Sequence, residues 1–377
     1  AAYQALLKNY PNSNHAAKAS LEMGMTFRTL KQYDNAIDAF KNTISTYTGS
    51  EEAYSALENL ERIFIEMNNV DEYIAYTKTL TNMNLQTTNS EDSLVYVTAE
   101  LQYMMGNYQE ATSGFINYLD NYCPGGRYCV NAMHYAANSY YQLKQYKEAL
   151  EQYSALADIQ GNPYMEEACM RVAELSYDKQ EYRTAQYYFQ RMYSVASNSQ
   201  MRQTALLGML RCSYHIKDSI NTIKYASQLL EVEALDELKR NEALYCRASA
   251  YYTTGEYGLA LVDYNILAKE VRTNWGAEAK YKAAECYYHL GAVDMAEEEI
   301  MSFTRMQTSH QYWLAKSLIL LADINVDKND LFQAKQYLLA LQNNYRKADD
   351  LAAIISDKLA HIQQLEIQQN TDTTIIE

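Results

Sequence analysis

The chain has 377 residues, 48% of them hydrophobic, with three prolines, twelve glycines and 37 tyrosines. That composition suits long helices over strand-and-turn alternation, and the core volume is ample. A formal net charge of −15 argues against a nucleic-acid partner, and without a run of about 18 apolar residues no transmembrane helix is expected.

Read in chain order, the segment AAYQALLKNYP suggests a helix within residues 1–15. One phrase then recurs: KQYDNAIDAF from residue 31, GNYQEATSGF from 106, KQYKEALEQY from 144, QEYRTAQYYF from 180 and GEYGLALVDY from 255. Aligned on its central small residue it gives a column of Ala36, Tyr73, Ala111, Ala149, Ala185, Thr222, Ala260, Ala296 and Ala334. Intervals of 36 to 38 residues separate them, the mark of a stacked repeat array. Four and seven residues further on come mostly large apolar side chains, for example Phe115 with Tyr118 and Tyr153 with Leu156, a spacing that keeps one helical face.

Twelve residues before that column a second one appears: Gly24, Glu61, Ala99, Ala137, Ala173, Leu210, Ala248, Ala284 and Ala322. Small residues on two facing helices let their backbones approach closely, so each unit reads as a helix pair. A bulky residue at such an alanine should cost about 1–3 kcal/mol by overpacking. The units centred on Tyr73 and Thr222 break both columns, through Glu61 and Leu210, and looser pairing or a bend is expected there. Near the C-terminus KADDLAAIISDKLAHIQQLEIQQ reads as a closing helix, and NTDTTIIE as a frayed tail.

Chemistry-bearing residues are sparse. His15, His134, His215, His289, His310 and His361 form no paired spacing, and neither a phosphate-binding loop nor a nucleophile elbow is present. Acidic pairs such as Glu51–Glu52 and Asp349–Asp350 stand at expected helix starts, where they complement the helix dipole. Cys169, Cys212, Cys246 and Cys286 fall singly within first helices and read as buried thiols. In NYCPGGRYC, Cys123 and Cys129 flank a turn; a disulfide, two free thiols and a metal site with His134 are the alternatives.

Eight residues before each second-helix column residue runs a ladder: Arg28, Ile65, Tyr103, Tyr141, Tyr177, Tyr214, Tyr252, Tyr288 and Val326. One turn earlier the residues are polar, including Glu100, Asn138, Glu174, Arg211, Ser249, Glu285 and Asp323.

The stretch MHYAANSYYQLKQYKEALEQYSAL, residues 133–156, resembles the tetratricopeptide repeat, with a small residue, a tyrosine pair, a turn and then Tyr-x-x-Ala-x-x-x-aromatic. The period exceeds the family's usual value of about 34 residues and is similar to repeats of bacterial cell-envelope proteins. The resemblance implies an all-α superhelix: a truncated repeat's second helix over 1–15, nine repeats in one continuous solenoid over 16–346, and a capping helix with a tail over 347–377. Pro11 stands where the family's repeat-ending proline would fall, hence the expectation that a longer array was cut here. The exposed apolar face of that first helix leads us to expect self-association through it.

It further implies that the ladder and the polar positions line a concave groove. Tyr103, Tyr141, Tyr177, Tyr214, Tyr252 and Tyr288, with Asn138, Glu174, Arg211 and Glu285, would form an aromatic, mainly acidic trough for a peptide or partner protein. Packing is the competing explanation for the tyrosines, since the family favours Tyr there on its own account. No cofactor and no catalysis are expected. Three readings follow: a protein-binding scaffold of the bacterial envelope or periplasm; a cytoplasmic sensor or adaptor; and a recruiting arm for a catalytic domain outside this sequence. An oxidised Cys123–Cys129 pair would favour the first.

Overall fold

The columns become helices because large apolar residues four and three apart must share one buried face, and because Gly and Pro are kept out of most helix interiors. The computed structural model describes residues 2–80, 90–347 and 349–376. The first helices of the pairs are α2 (Ala16–Thr29), α4 (Glu51–Glu66), α6 (Glu91–Met104), α8 (Cys129–Gln142), α10 (Met165–Asp178), α12 (Ser199–His215), α14 (Glu237–Thr253), α16 (Asn274–His289) and α18 (Gln311–Asp327). Each is followed by its second helix: α3 (Tyr33–Thr46), α5 (Val70–Thr79), α7 (Tyr108–Tyr122), α9 (Tyr146–Asp158), α11 (Tyr182–Val195), α13 (Ser219–Leu230), α15 (Tyr257–Leu267), α17 (Val293–Arg305) and α19 (Leu331–Asn344). Helix α1 (Ala2–Asn9) precedes them and α20 (Leu351–Ile376) follows. Among the described residues the chain is therefore all-α, nine helix pairs with one helix at each end, and no helix is long and apolar enough to cross a membrane. It divides into two units, Ala1–Leu175 and Ser176–Glu377.

Both columns are buried throughout. Ala36, Ala111, Ala149, Ala185, Ala260, Ala296 and Ala334 expose nothing, and Ala99, Ala137, Ala173, Ala248, Ala284 and Ala322 at most 1%. Where a glycine takes the place, contact is closer still. A Cβ on Gly24 would lie 2.5 Å from Phe40 Cε1; on Gly208, two residues before Leu210 of the column, one would lie 2.6 Å from the Phe189 ring.

The pair centred on Tyr73, expected to be loose, is repaired instead. Tyr73 and Glu61 replace the two small residues, both are buried, and the phenol donates to Glu61 Oε2 at 3.2 Å. Burial, followed by the Glu61 charge, pushes the Tyr73 hydroxyl well above its ordinary value. A facing pair of Ala has been exchanged for a facing donor and acceptor.

Every first helix ends by one device. The residue five before the small column takes the left-handed conformation: Lys31, Asn68, Gly106, Lys144, Gln180, Lys217, Gly255, Gly291 and Asn329, with φ between 55° and 80°. The next residue's amide reaches back to close the motif, as Gln145 does to the Tyr140 carbonyl at 2.9 Å. Side-chain caps open several helices: Ser50, Asn198, Asp218, Asp236, Thr273 and Asp330 each accept a backbone amide three residues on.

The ends differ from the sequence reading in one respect. Helix α20 continues to Ile376, so the segment expected as a frayed tail is helical up to that residue, and Glu377 lies outside the described residues. Helix α1 buries none of its side chains fully.

Candidate functional site: the tyrosine ladder

The ladder residues occupy the last turn of the first helices, and the turn fixes them by their backbone. The left-handed residue's amide donates to the ladder carbonyl in all six cases, from Gln180 to Tyr177 at 2.8 Å through Gly255 to Tyr252 at 3.1 Å. All six rings are half-buried. Neither extreme applies, for they are not sealed in the core and do not stand free.

What covers them is a second tyrosine that the sequence reading left aside. Five second helices begin with Tyr, and in four of them its ring stands edge-on to the ladder tyrosine five residues earlier. The pairs are Tyr103–Tyr108 at 5.6 Å, Tyr141–Tyr146 at 5.5 Å, Tyr177–Tyr182 at 5.2 Å and Tyr252–Tyr257 at 5.4 Å. Such pairs add about 0.5–1.5 kcal/mol beyond area burial. The ladder thus fastens its own turn as well as presenting a surface.

Most of the polar positions have partners too. In the first unit, Asn138 Oδ1 accepts from the buried Tyr153 hydroxyl at 2.9 Å, and its amide nitrogen lies 3.1 Å from His134 Nε2. Glu174 is held by Arg171 Nη1 at 3.1 Å, and that guanidinium lies 4.6 Å above the Tyr141 ring. In the second unit, Arg211 forks onto both oxygens of Glu242 at 2.6 and 2.8 Å while nearly half its side chain stays exposed. Glu285 receives Lys282 Nζ at 2.7 Å, the Tyr252 hydroxyl at 3.2 Å and the Tyr281 hydroxyl. Lys282 itself sits 4.1 Å from the Tyr252 ring centre. Of these carboxylates, Glu174 is paired with Arg171 and Glu285 with Lys282, and two phenols also donate to Glu285, so the aromatic wall is laced with ion pairs.

The phenols respond to this setting. Desolvation, then the Glu285 charge and hydrogen bond, holds the Tyr252 hydroxyl above its ordinary range. The Tyr288 hydroxyl, bonded to Asp327, is pushed up to about 12. Tyr252 and Tyr288 therefore remain protonated donors at neutral pH. Burial raises the carboxyl of Glu278, which accepts from Tyr245 at 3.0 Å.

A further recurring contact escaped the sequence reading. One turn before four of the seven polar positions, a ring on the first helix stacks on an aromatic residue at the start of the next one. Tyr96 lies on Tyr128 at 4.3 Å, His134 on Tyr164 at 3.8 Å, Tyr245 on Trp275 at 6.0 Å and Tyr281 on Trp313 at 5.8 Å. The partners are 30 to 32 residues apart, and that constant offset was the available signal.

Cys123 and Cys129 are joined as a disulfide with Cα atoms 5.7 Å apart, closing the turn between α7 and α8. With the sulfurs committed to each other, the metal reading fails, and His134 faces Tyr164 instead. Cys169, Cys212, Cys246 and Cys286 are buried, and desolvation pushes the thiols of the last three up to about 12, far from nucleophilic.

Residues 18–50, a first helix, its left-handed turn at Lys31 and the second helix, match the family model described as tetratricopeptide repeat. That segment is a tetratricopeptide repeat by sequence, and the other eight helix pairs repeat its helix–turn–helix form. Solved structures to which it is similar include a tetratricopeptide repeat protein from Parabacteroides merdae, at 15% identity over 92% of this chain and 98% of that one, TM-score 0.27. Another is the C-terminal part of a TPR repeat-containing protein from Cytophaga hutchinsonii, at 14% identity over 79% and 98%, TM-score 0.35. The human IFIT1 dimer with m7Gppp-AAAA aligns at 10% identity over 98% and 86%, TM-score 0.41. No curated protein sequence matches the chain. Tetratricopeptide repeats generally serve protein–protein interaction and are generally non-catalytic.

Proposed function

We propose that this protein is a non-enzymatic scaffold that holds a peptide or partner protein against the ladder face of its first helices, in the concave groove that such repeats form. One observation carries the reading. Tyr177, Tyr214, Tyr252 and Tyr288 recur at one position in successive pairs of the second unit, backbone-fixed and half-exposed; Tyr103 and Tyr141 repeat the arrangement in the first. A tyrosine held by its turn offers contact area and a hydroxyl while losing little entropy on binding. The ion pairs beside it, above all the exposed fork of Arg211, supply register.

The place we propose is the bacterial periplasm or cell envelope. The Cys123–Cys129 disulfide supports it, because such a bond persists in an oxidising compartment. Mass spectrometry of protein isolated under thiol-blocking conditions checks this, and two blocked thiols at these positions would move the proposal to the cytoplasm.

Peptide selection from a random library against the whole chain tests the binding face. The same selection is run on a variant carrying Tyr177→Ser, Tyr214→Ser and Tyr288→Ser, with circular dichroism confirming unchanged helicity. We expect the enriched sequences to lose affinity for the variant at least tenfold. Equal binding to both proteins removes the ladder from the mechanism.

A further inference from the structure

Two turns of the second unit are filled by the same pair of rings. Tyr182, the first residue of α11, stands edge-on to ladder Tyr177 and carries the His215 imidazole flat against it, 4.5 Å away and 6° from parallel. Tyr257, the first residue of α15, does the same between Tyr252 and His289, at 4.6 Å and 16°. In each case the imidazole comes from the end of the following first helix.

The turn between α12 and α13 lies between these two in sequence and lacks both rings. Ser219 stands where Tyr182 and Tyr257 stand in their pairs, and Thr253 where His215 and His289 stand. The loss is not made good by neighbours. A cavity of about 400 Å³ remains, lined among others by Tyr214, His215, Lys217, Ser219, Ser249 and Thr253. His215, Lys217 and Thr253 are exposed, so the cavity is open to solvent. The turn of Tyr288 solves the same problem differently: its hydroxyl bonds Asp327, and Val293 packs against the core beside it.

We propose that this cavity is a socket for an aromatic side chain of the bound polypeptide, with a tyrosyl ring preferred. The neighbouring turns supply the argument for the occupant. The same backbone motif there accommodates a phenol edge-on to the ladder tyrosine with a planar ring beside it, and here the ladder tyrosine keeps its place while both guests are absent. Ser219 and Ser249 offer hydroxyls to a phenolic oxygen, and Thr253, whose Oγ1 donates to the Ser249 carbonyl at 2.8 Å, can still accept from a phenol; an aliphatic side chain would leave these groups without a ligand partner. The proposal rests on the reading of this face as a polypeptide-binding wall and names what one position of it recognises.

The test needs no natural partner. The whole chain, methyl-labelled at Ala and Thr, is titrated with N-acetyltyrosinamide and, separately, with N-acetylleucinamide. We expect saturable shifts of the Thr222, Ala250 and Thr253 methyls with the tyrosine amide. Its affinity should be roughly 3- to 10-fold higher than that of the leucine amide, the range an edge-to-face ring pair provides. Restoring the missing stack with Ser219→Tyr and Thr253→His should abolish the shifts and raise the melting temperature. Unmoved methyls up to the solubility limit, equal affinity for the two amides, or a response that survives in the filled variant each overturns the socket. The comparison of amides on the unmodified chain decides the matter even where the double variant does not fold. A silent socket in a protein whose ladder still selects peptides removes this position alone and leaves the wall standing.

Discussion

Arg247 and Asp263 give the strongest test of how the helix pairs are held. Arg247 stands one residue before the small column of α14 and donates through Nε and Nη2 to the two Asp263 oxygens at 2.7 and 2.8 Å, and through Nη1 to Ser227 at 3.1 Å. The Asp263 side chain, on α15, is 2% exposed and that of Arg247 22%. Arg247→Met therefore strands a buried carboxylate. Removing one partner of a buried pair costs about 3–5 kcal/mol, and because this guanidinium reaches water we take the lower end, about 3 kcal/mol. In urea, with a slope of about 2–3 kcal/mol per molar, the midpoint should fall by about 1 M. Asp263→Leu should cost less, about 1–2 kcal/mol, since the freed guanidinium can turn to solvent. The double replacement should lie within about 1 kcal/mol of the parent, because a desolvated pair and an apolar pair of similar volume are close in energy. Urea unfolding of the four proteins, followed by far-ultraviolet circular dichroism, gives the coupling. If Arg247→Met costs under about 1 kcal/mol and the double replacement is no better than the single, the pair is not what joins α14 to α15.

Two further outcomes are expected. Lys144 sits at φ 60°, where an L residue is strained by about 1 kcal/mol, so Lys144→Gly should raise stability by about 0.5–1 kcal/mol while Gly255→Val, at φ 80°, lowers it by at least as much; urea midpoints measure both. Burial holds the His134 imidazole below its ordinary value of 6.5, against the opposing charge of Glu167, so the unfolded chain takes up a proton that the folded chain refuses. Stability from the neutral ring is then complete above about pH 6.5 and lost as pH falls through the folded value. Between neutral pH and about pH 5 the parent should lose more melting temperature than His134→Gln, and equal losses would refute the assignment.

The two small-residue columns were legible because burial of a close helix crossing admits few residue types, and the sequence repeats them at a nearly fixed interval. The ladder was legible for the same reason, as one residue type at one position. What escaped shares a different character. Of the nine left-handed turn residues only three are Gly, and Lys, Asn and Gln carry too weak a conformational preference to mark such a turn on sight. The Arg247–Asp263 pair joins side chains of two different helices and emerges only once those helices face each other, whereas the four inter-repeat ring stacks keep a nearly fixed offset in sequence that their varied identities disguise. The groove's residue types were legible, but the pairing of Glu174 with Arg171 and of Glu285 with Lys282 was not, because the cations come from neighbouring positions.

The two departures from the column pattern show how a broken rule separates packing from function. Tyr73 and Glu61 violate both columns and repair each other, and the pair is closed by a hydrogen bond in the core. Thr222 and Leu210 violate the same columns and are equally buried, yet at the adjoining turn Ser219 and Thr253 leave out the two rings that close the corresponding turns at Tyr177 and Tyr252. Filling that hole would have been simple: two side chains already used elsewhere in the same unit do it, and surplus stability of this kind is easily gained. A vacancy next to a ladder tyrosine, in a chain that knows how to fill it, is best explained by a visitor. Restoring the rings at positions 219 and 253 separates the two accounts, because a mere packing fault would be cured without loss, whereas a socket would be cured at the expense of binding.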